Sequence, residues 1–559
     1  MAALAGSRVV IEGVDKRKWM QKNTCEMKMK RIYFFPITLA IYPVLSLLAT
    51  NIAQVELLDA VRSLIVSILL ACLVYVLLRI WLRDTLRAAV LSTFLLFLFF
   101  SYGHVYALIE DFTIFSFNLG RHRYLFVVWL AAAFLGIRWV RRSQESFDRI
   151  GQVLNVISLI LIAIPVIQFL AFQFNSIEPL SDVTSGERSE TQIDIAENQT
   201  LQVAESGTLP DIYYIILDMY TREDVLSNKL AFDNSEFVEH LEDLGFYVVP
   251  CANSNYTSTV LSLGATLNLD YFQNIVEIED KATSPYKFGA IVKENRLVAL
   301  LEQLGYSVVA FESGFSPTEW EDATYYFELG ENWIFGGMNP FEVIFLKTTM
   351  GLFLFEFDDV LPAAFQAYYD SAYIQHRDRI LLELDGIANA TQIPGPKFVF
   401  AHILAPHNPF VFGPNGEFIR RHTPFTLNMD TESDNWEEFV PGYIGQVRFM
   451  NMRVEEIVTQ ILEESESGAI IIIQGDHGIP TINPDDYKSA ILNAIYLPDA
   501  GRDALYSNIS SVNTFRLVLD AYFGTNYGLL EDVSYYSTHK KFPFQFEIIR
   551  WDDFKCPAE

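Results

Sequence analysis

The chain has 559 residues, with 40 Lys+Arg against 69 Asp+Glu, a formal net charge of −29 and an apolar content of 51%. It is too long for one small domain and too apolar for a disordered chain. Its acidity argues against nucleic acid as a partner, because phosphate backbones demand Lys and Arg. Four cysteines (Cys25, Cys72, Cys251, Cys556) are too few for a disulfide scaffold or a Cys-based zinc module. The charge is split: residues 1–175 hold 18 basic and 10 acidic side chains, net +8, and residues 176–559 hold 22 and 59, net −37.

Residues 1–31 read as a basic cytoplasmic N-terminus, with Lys16, Arg17, Lys18, Lys22, Lys28, Lys30 and Arg31. A membrane domain follows over 32–175. Five apolar stretches, at 32–53, 60–82, 86–109, 123–140 and 153–173, are each long enough to cross about 30 Å of hydrocarbon. Arg79, Arg83 and Arg87 follow the second stretch, and Arg138, Arg141, Arg142 and Arg149 follow the fourth. The alternate loops are acidic (Glu56, Asp59; Glu110, Asp111) or mixed. By the positive-inside rule the basic loops are cytoplasmic, and five crossings put everything beyond residue 175 outside the cytoplasm. Cys251 and Cys556 then lie in an oxidising compartment where they can pair. Arg62, within the second stretch, is the one intramembrane charge worth following.

Residues 176–208 form a polar linker, and residues 209–559 an outer domain. Continuous apolar runs at 212–217, 246–249, 307–311, 398–403, 469–473 and 491–497 alternate with helical patterns at 234–244, 288–304, 360–388, 440–464 and 511–523. Such alternation predicts an α/β fold whose mostly parallel sheet lies between helices. Ligands bind beyond the carboxyl ends of such strands.

The first strand ends in Asp218, and the run Ala469–Ile473 leads into Gln474-Gly475-Asp476-His477-Gly478. Carboxylate and imidazole are good zinc or manganese ligands, and glycines permit a sharp turn. Asp218 alone reads equally as a cap or turn former. The Asp476-His477 pair reads as a metal site or as a capped turn. His402 and His407 flank a Pro-punctuated turn after 398–403; His402 can be merely buried on its strand, and His407 is the better active-site candidate. Asn253-Ser254-Asn255-Tyr256-Thr257-Ser258-Thr259 offers hydroxyls that need activation, most simply by a metal, and otherwise reads as a polar loop capping a helix at 259–268. There is no Gly-x-Ser-x-Gly elbow, Walker loop, His-Glu-x-x-His helix or dinucleotide fingerprint.

Taken together, in this order and behind five membrane stretches, these residues resemble the alkaline phosphatase/sulfatase superfamily. The resemblance is to its membrane-anchored branch of lipoteichoic acid synthases and phosphoethanolamine transferases. It implies Asp218, Asp476, His477 and a nucleophilic threonine as ligands of one divalent metal, Mn²⁺ or Zn²⁺ rather than Mg²⁺ or Ca²⁺. Thr259 is the expected nucleophile, Thr257 the alternative, and Ser258 ranks below both. His407 is the catalytic residue expected to hold the transferred group, with His402 beside it in substrate binding. The sequence departs from formylglycine sulfatases: Cys251 is followed by Ala252-Asn253-Ser254-Asn255, without the Pro/Ala and Arg their motif requires.

The resemblance implies a metal-dependent transferase in the cytoplasmic membrane, with its catalytic domain outside. It moves a phospholipid-derived phosphoryl head group through a phosphothreonine onto an envelope glycan, lipid or polymer. The alternatives are a hydrolase of phosphate or sulfate esters at the same site, and a non-catalytic membrane-anchored binding protein.

Overall fold

The computed structural model describes residues 33–176 and 209–550, apart from 53–54, 56, 111–112, 115–116, 119–120, 145, 277–287, 331–336, 357–361, 421–424, 426–435, 466–467, 481–487 and 538–543. The basic N-terminus and nearly all of the linker lie outside the described residues.

Five apolar helices come first: α1 (Phe35–Thr50), α2 (Asp59–Leu82), α3 (Thr85–Ile109), α4 (His122–Arg142) and α5 (Asp148–Ser176). Helices α2 to α5 are long and apolar enough to cross a membrane. α1 differs from the expected 32–53 span: at 16 residues it is about 24 Å long, short of the ~30 Å hydrocarbon core. Pro36 suits its first turn, where an N–H would be unpaired anyway, and Pro43 interrupts its interior. Asp84 caps α3 by accepting from Leu86 N and Arg87 N. The arginines gather at one end of the bundle. There Arg87 donates to Ser143 O (2.9 Å) and Val140 O (3.3 Å), and Arg141 lies 5.0 Å over the Trp81 ring. A two-stranded hairpin, β1 (Thr113–Ile114) and β2 (Phe117–Asn118), joins α3 to α4 at the other end.

The second domain is built on β3 (Asp211–Leu217), β4 (Tyr247–Val248), β5 (Ser307–Phe311), β6 (Tyr325–Phe327), β7 (Lys397–Ile403), β8 (Ala469–Gln474) and β9 (Asn493–Tyr496). They form one sheet in the order β4-β9-β8-β3-β7-β5-β6, in which β9 runs against the others. The central strand β3 is buried throughout and parallel to both neighbours, Ile212 facing Phe398 and Asp211 facing Ala469. Both faces are covered, so β3 and β8 read as unbroken apolar runs. α6 (Thr259–Asn268) and α10 (Ser511–Tyr522) cover the face bearing Ile212, Tyr214 and Ile216. α8 (Ala363–Asn389) and α9 (Trp436–Glu464) cover the face bearing Tyr213, Ile215 and Leu217. A small hairpin, β10 (Val533–Tyr536) and β11 (Glu547–Arg550), stands apart from the sheet.

One segment of the α/β domain enters the membrane domain. α7 (Pro340–Lys347) is closed by an Asn339–Glu342 capping box. Its Phe341 and Phe345 pack into a core shared with Ala40, Val44, Leu48, Ala60, Leu96 and Phe100. Removing each ring from water is worth about 1.5–3 kcal/mol. Arg62 ends the chain of polar contacts: its Nε lies 3.0 Å from Glu342 Oε1, and its Nη2 donates to Glu342 Oε2 (3.0 Å) and Gly337 O (2.7 Å). Tyr368 also donates to Glu342 Oε2 (2.9 Å), and Asn339 to Asp59 O (3.1 Å). Gly103 is required here, because a Cβ would meet Lys347 O at 1.9 Å.

Removing one partner of this pair strands a largely buried charge. Glu342→Leu is expected to cost about 3–5 kcal/mol, lowering the Tm of the detergent-solubilised full chain, and Arg62→Met combined with it to recover most of the loss. Equal Tm values for the single and double variants would contradict the pairing.

Candidate active site

Strand alternation gathers the site. Ile216 is level with His402 on β7 and Gln474 on β8, and all lie on the α6 side. Two residues on, the same side carries Asp218 and Asp476. Two local features hold them there. Met219 takes a left-handed conformation (φ 65°), costly for a residue with a Cβ, and is held by donating to Asp476 Oδ1 (3.0 Å) and accepting from Tyr443 (2.8 Å). Gly475 lets the β8 turn approach the β3 turn, since a Cβ would lie 2.4 Å from Tyr220 O.

The result is a buried cluster. Asp218, His402 and Asp476 place one potential ligand atom each within 4.8 Å of the others. His402 Nε2 is 3.6 Å from Asp218 Oδ2, and His477 Nε2 is 3.7 Å from Asp218 Oδ1 and 3.6 Å from Asp476 Oδ2. Asp218 Oδ1, Asp476 Oδ2 and His402 Nε2 are buried without a hydrogen-bond partner. Such atoms are costly unless something binds them, and two carboxylates with two imidazoles are a zinc- or manganese-type donor set. The residues therefore fit a divalent metal.

The outer nitrogens of both histidines are engaged. His477 Nδ1 is 3.0 Å from Gly478 O, and His402 Nδ1 is 3.0 Å from the Thr318 hydroxyl, which itself donates to Phe315 O. With Nδ1 donating in each, Nε2 carries the lone pair toward the cluster. Burial, and then the neighbouring Asp476, push the Asp218 carboxyl well above the usual carboxylate range. Burial alone would raise Asp476 as well, but the His477 and His402 imidazoles and the Met219 N–H hold it low. Without a cation, burial and mutual repulsion therefore favour a proton shared within the pair.

Thr259 is the first residue of α6, following the Ser258 N-cap, and its hydroxyl acts on Asp476. The N-terminus of α6 thus points a hydroxyl and its partial positive charge at the cluster. Thr257 lies two residues upstream of the helix. His407 is buried, its backbone N–H donates to Asp218 O (3.0 Å), and its Nδ1 contacts Asn408 O. Burial, then His477, depress its pKa to about 4, so it is neutral. Cys251 is disulfide-bonded, while Cys72 is free. The expected partner Cys556 lies outside the described residues.

The structure differs from the sequence reading over His402, which joins the metal-type cluster instead of standing apart on the substrate side. The strand register that reveals this is not written in the residues around it. Sequence reasoning also missed His376 and Glu383 on α8, which are buried with unpartnered side-chain atoms, and Lys488, whose charge acts on Asp218 and His477. His376 and Glu383 sit in an unremarkable helical pattern, and Lys488 in a loop, so no local signal marks them.

Residues 210–515, more than half of the chain, match the sulfatase family. The chain belongs to that family. It is a membrane protein and an enzyme of the alkaline phosphatase/sulfatase superfamily. Among curated proteins no match is found. Solved structures similar to this sulfatase-family chain include the integral membrane lipooligosaccharide phosphoethanolamine transferase A of Neisseria meningitidis (12% identity, 87% of this chain and 95% of that one, TM-score 0.36). Others are the zinc complex of the periplasmic domain of EptC from Escherichia coli (11%, 63% and 96%, 0.39) and a phosphoethanolamine transferase EptC domain from Campylobacter jejuni (12%, 56% and 90%, 0.35).

Two outcomes follow from these charges. Asp218→Asn mimics the protonated carboxyl, so the Tm in EDTA should be unchanged or higher, and the rise on adding Zn²⁺ or Mn²⁺ should vanish. Burial, then Arg379 and His407, depress His376 from 6.5 to about 3. The unfolded chain thus takes up a proton that the folded chain refuses, and stability is complete above about pH 6.5 and lost as pH falls toward 3. His376→Gln should remove about one proton from that acid limb, read as a shallower slope of Tm against pH.

Proposed function

We propose that this protein is a metal-dependent phospho-transferase that takes a phosphoryl head group from a membrane phospholipid, holds it on Thr259 and passes it to an envelope acceptor. One observation carries the reading: a hydroxyl at the N-terminus of α6 adjoins a buried set of two carboxylates and two imidazoles with unpartnered donor atoms. Asp218, Asp476, His477 and Thr259 would hold the ion, with His402 beside them. A bound divalent ion supplies charge that favours the threonine alkoxide and the developing charge on phosphorus.

In the first half-reaction Thr259 Oγ attacks phosphorus, an Oγ–P bond forms, and the P–O bond to diacylglycerol breaks. Diacylglycerol leaves with a proton. In the second, an acceptor hydroxyl attacks phosphorus, the P–Oγ bond breaks, and Thr259 regains its proton. The neutral His407 ring gives its single N–H, at Nδ1, to Asn408 O, so it would hold a non-bridging oxygen or donate to the leaving oxygen through Nε2 only after taking up a proton. Lys488 adds positive charge near the cluster. The cluster of arginines at one end of the bundle supports the reading that this end faces the cytoplasm and that the opposite end, with the α/β domain, lies outside.

Family membership also favours a second reading, hydrolysis of a phosphate or sulfate ester at the same site. Formylglycine chemistry does not fit it, because Cys251 is engaged in a disulfide.

Incubating the full chain with Mn²⁺ or Zn²⁺ and phospholipid should yield a head-group phosphate adduct on the Thr259 peptide by mass spectrometry. Thr259→Ala should abolish it and lower turnover by at least about 10²-fold, and Thr257→Ala should leave it intact. Metal-dependent turnover with no adduct and no acceptor product would move the conclusion to the hydrolase.

A further inference from the structure

An open-sided cavity of about 500 Å³ lies along the membrane domain, with Thr50, Phe97 and His104 exposed at its edge, far along the chain from the metal-type cluster. α1 lines it with Leu39, Tyr42, Pro43, Ser46, Leu47 and Thr50. α3 adds Phe97, Phe100, Ser101 and His104, α5 adds Leu161, and the α/β domain adds Thr348 from the end of α7. α3 and α5 are apolar helices long enough to cross a membrane, α1 is the shorter third wall, and the fourth is the docked segment held by Arg62.

The lining is graded. From Leu39 to Thr50, α1 rises about 16 Å. The lower part, toward the arginine-rich side, is mainly apolar, with Leu39 and Leu161 and one hydroxyl each from Tyr42 and Ser46, and Phe97 lies a turn below the rim. The upper end, toward the α/β domain, is Thr50, Ser101, His104 and Thr348. The hydroxyls there are already used as donors: Thr50 to Ser46 O (3.0 Å), Ser101 to Phe97 O (2.6 Å) and Thr348 to Phe345 O (2.8 Å). They therefore present acceptors to whatever sits at the rim. The shape is an apolar shaft at bilayer depth beneath an acceptor-rich rim, capped by the catalytic domain.

We infer that this cavity holds one acyl chain of a glycerophospholipid, with the glycerol and head-group end at the Thr50–His104–Thr348 rim. Depth, chemistry and position select this occupant. Chains of the outer leaflet lie at the same level as the shaft, the rim offers acceptors to hydroxyl or ammonium donors, and Thr348 makes the rim part of the catalytic domain. Lipid tails are as apolar as the lining, so burial there gains little; the cavity orients the lipid, and rim contacts discriminate. Pro43 contributes locally, because it cannot donate to the Leu39 carbonyl and so leaves that acceptor without its usual intrahelical bond beside the shaft. The inference deepens the lipid-donor reading above and rests on it for the role of the occupant.

The test uses the full chain in nanodiscs containing a small fraction of phospholipid with a diazirine at mid-chain. After photolysis, peptides bearing 39–50, 97–104 and 161 should be labelled severalfold more than those bearing the outward-facing Leu69 and Leu73 of α2 or Val127 and Leu130 of α4. Equal labelling of both sets, the pattern of bulk lipid alone, would overturn the inference. Leu161→Trp fills the shaft. It should remove the selective label and raise KM for long-chain phospholipid severalfold, with turnover of a water-soluble phosphodiester unchanged as the check on folding. An unchanged label and KM in that variant would equally overturn it. If no ester of any kind is turned over, the transferase reading fails, and the labelling pattern alone still decides the cavity.

Discussion

Two carboxylates buried beside one another set the terms for the rest of this molecule. Asp218 and Asp476 leave adjacent parallel strands, about 4.8 Å apart, on the same side of the sheet. At such separation two full negative charges repel by about 3.5 kcal/mol, even at an effective dielectric constant of 20. The chain supplies the pair with imidazoles from His402 and His477, a backbone N–H from Met219 and the N-terminus of α6. These offset part of the repulsion, and the rest falls to a proton or a cation. The left-handed Met219 and the close approach at Gly475 are local costs borne so that the two turns meet.

The membrane domain follows a related logic at the other end of the molecule. An arginine in an apolar helix usually marks a transport path or a buried partner. Here Arg62 has its partner, Glu342, and that residue comes from the catalytic domain. The pair fixes α7 in a core shared with α1, α2 and α3, so the enzyme domain is seated on its anchor rather than merely tethered to it. The docked segment occupies the bundle end opposite the arginine cluster, so the bundle carries opposite chemistry at its two faces.

Much of this was legible in the sequence, for identifiable reasons. The four isoleucines of Ala469–Ile473 admit one reading, a strand buried on both faces, and Ser307–Phe311 coincides with β5. Asp218 and the Asp476-His477 pair were each open to a cap or turn reading, and it was their shared place at the carboxyl ends of apolar strands, in the order of the resemblance, that drew them together. α1 was read too long, because apolar composition around 32–53 does not show where Asn51 ends the helix. α7 was not read at all: its aromatic residues suit a soluble core as well as a membrane interface, and only the position of Arg62 separates the two. His402 was assigned to the substrate side because its ligand-like direction depends on the register of β7 against β3, a pairing between segments about 185 residues apart. The choice between Thr257 and Thr259 turns on which of them begins α6, a boundary that sequence places only to within a residue or two.

The nucleophile proposed for the site bears on what it is suited to do. Cys251 is closed in a disulfide, so a modified cysteine is not on offer, and the group at the cluster is an encoded threonine hydroxyl. Under the proposed reading its covalent product is an ordinary alkyl phosphodiester, close in stability to the diester that an acceptor alcohol would form. Passing the group from one alcohol to another is then nearly balanced in free energy, and the outcome depends on which hydroxyl reaches phosphorus. Asp218, Asp476 and His477 are 4%, 1% and 6% exposed, a setting that holds bulk water away from the reacting atoms. Membrane anchorage keeps the domain among lipids at high effective concentration. A balanced exchange in a dry site beside a lipid surface favours an alcohol acceptor over water. That is the physical reason for placing transfer ahead of hydrolysis in the proposed reading.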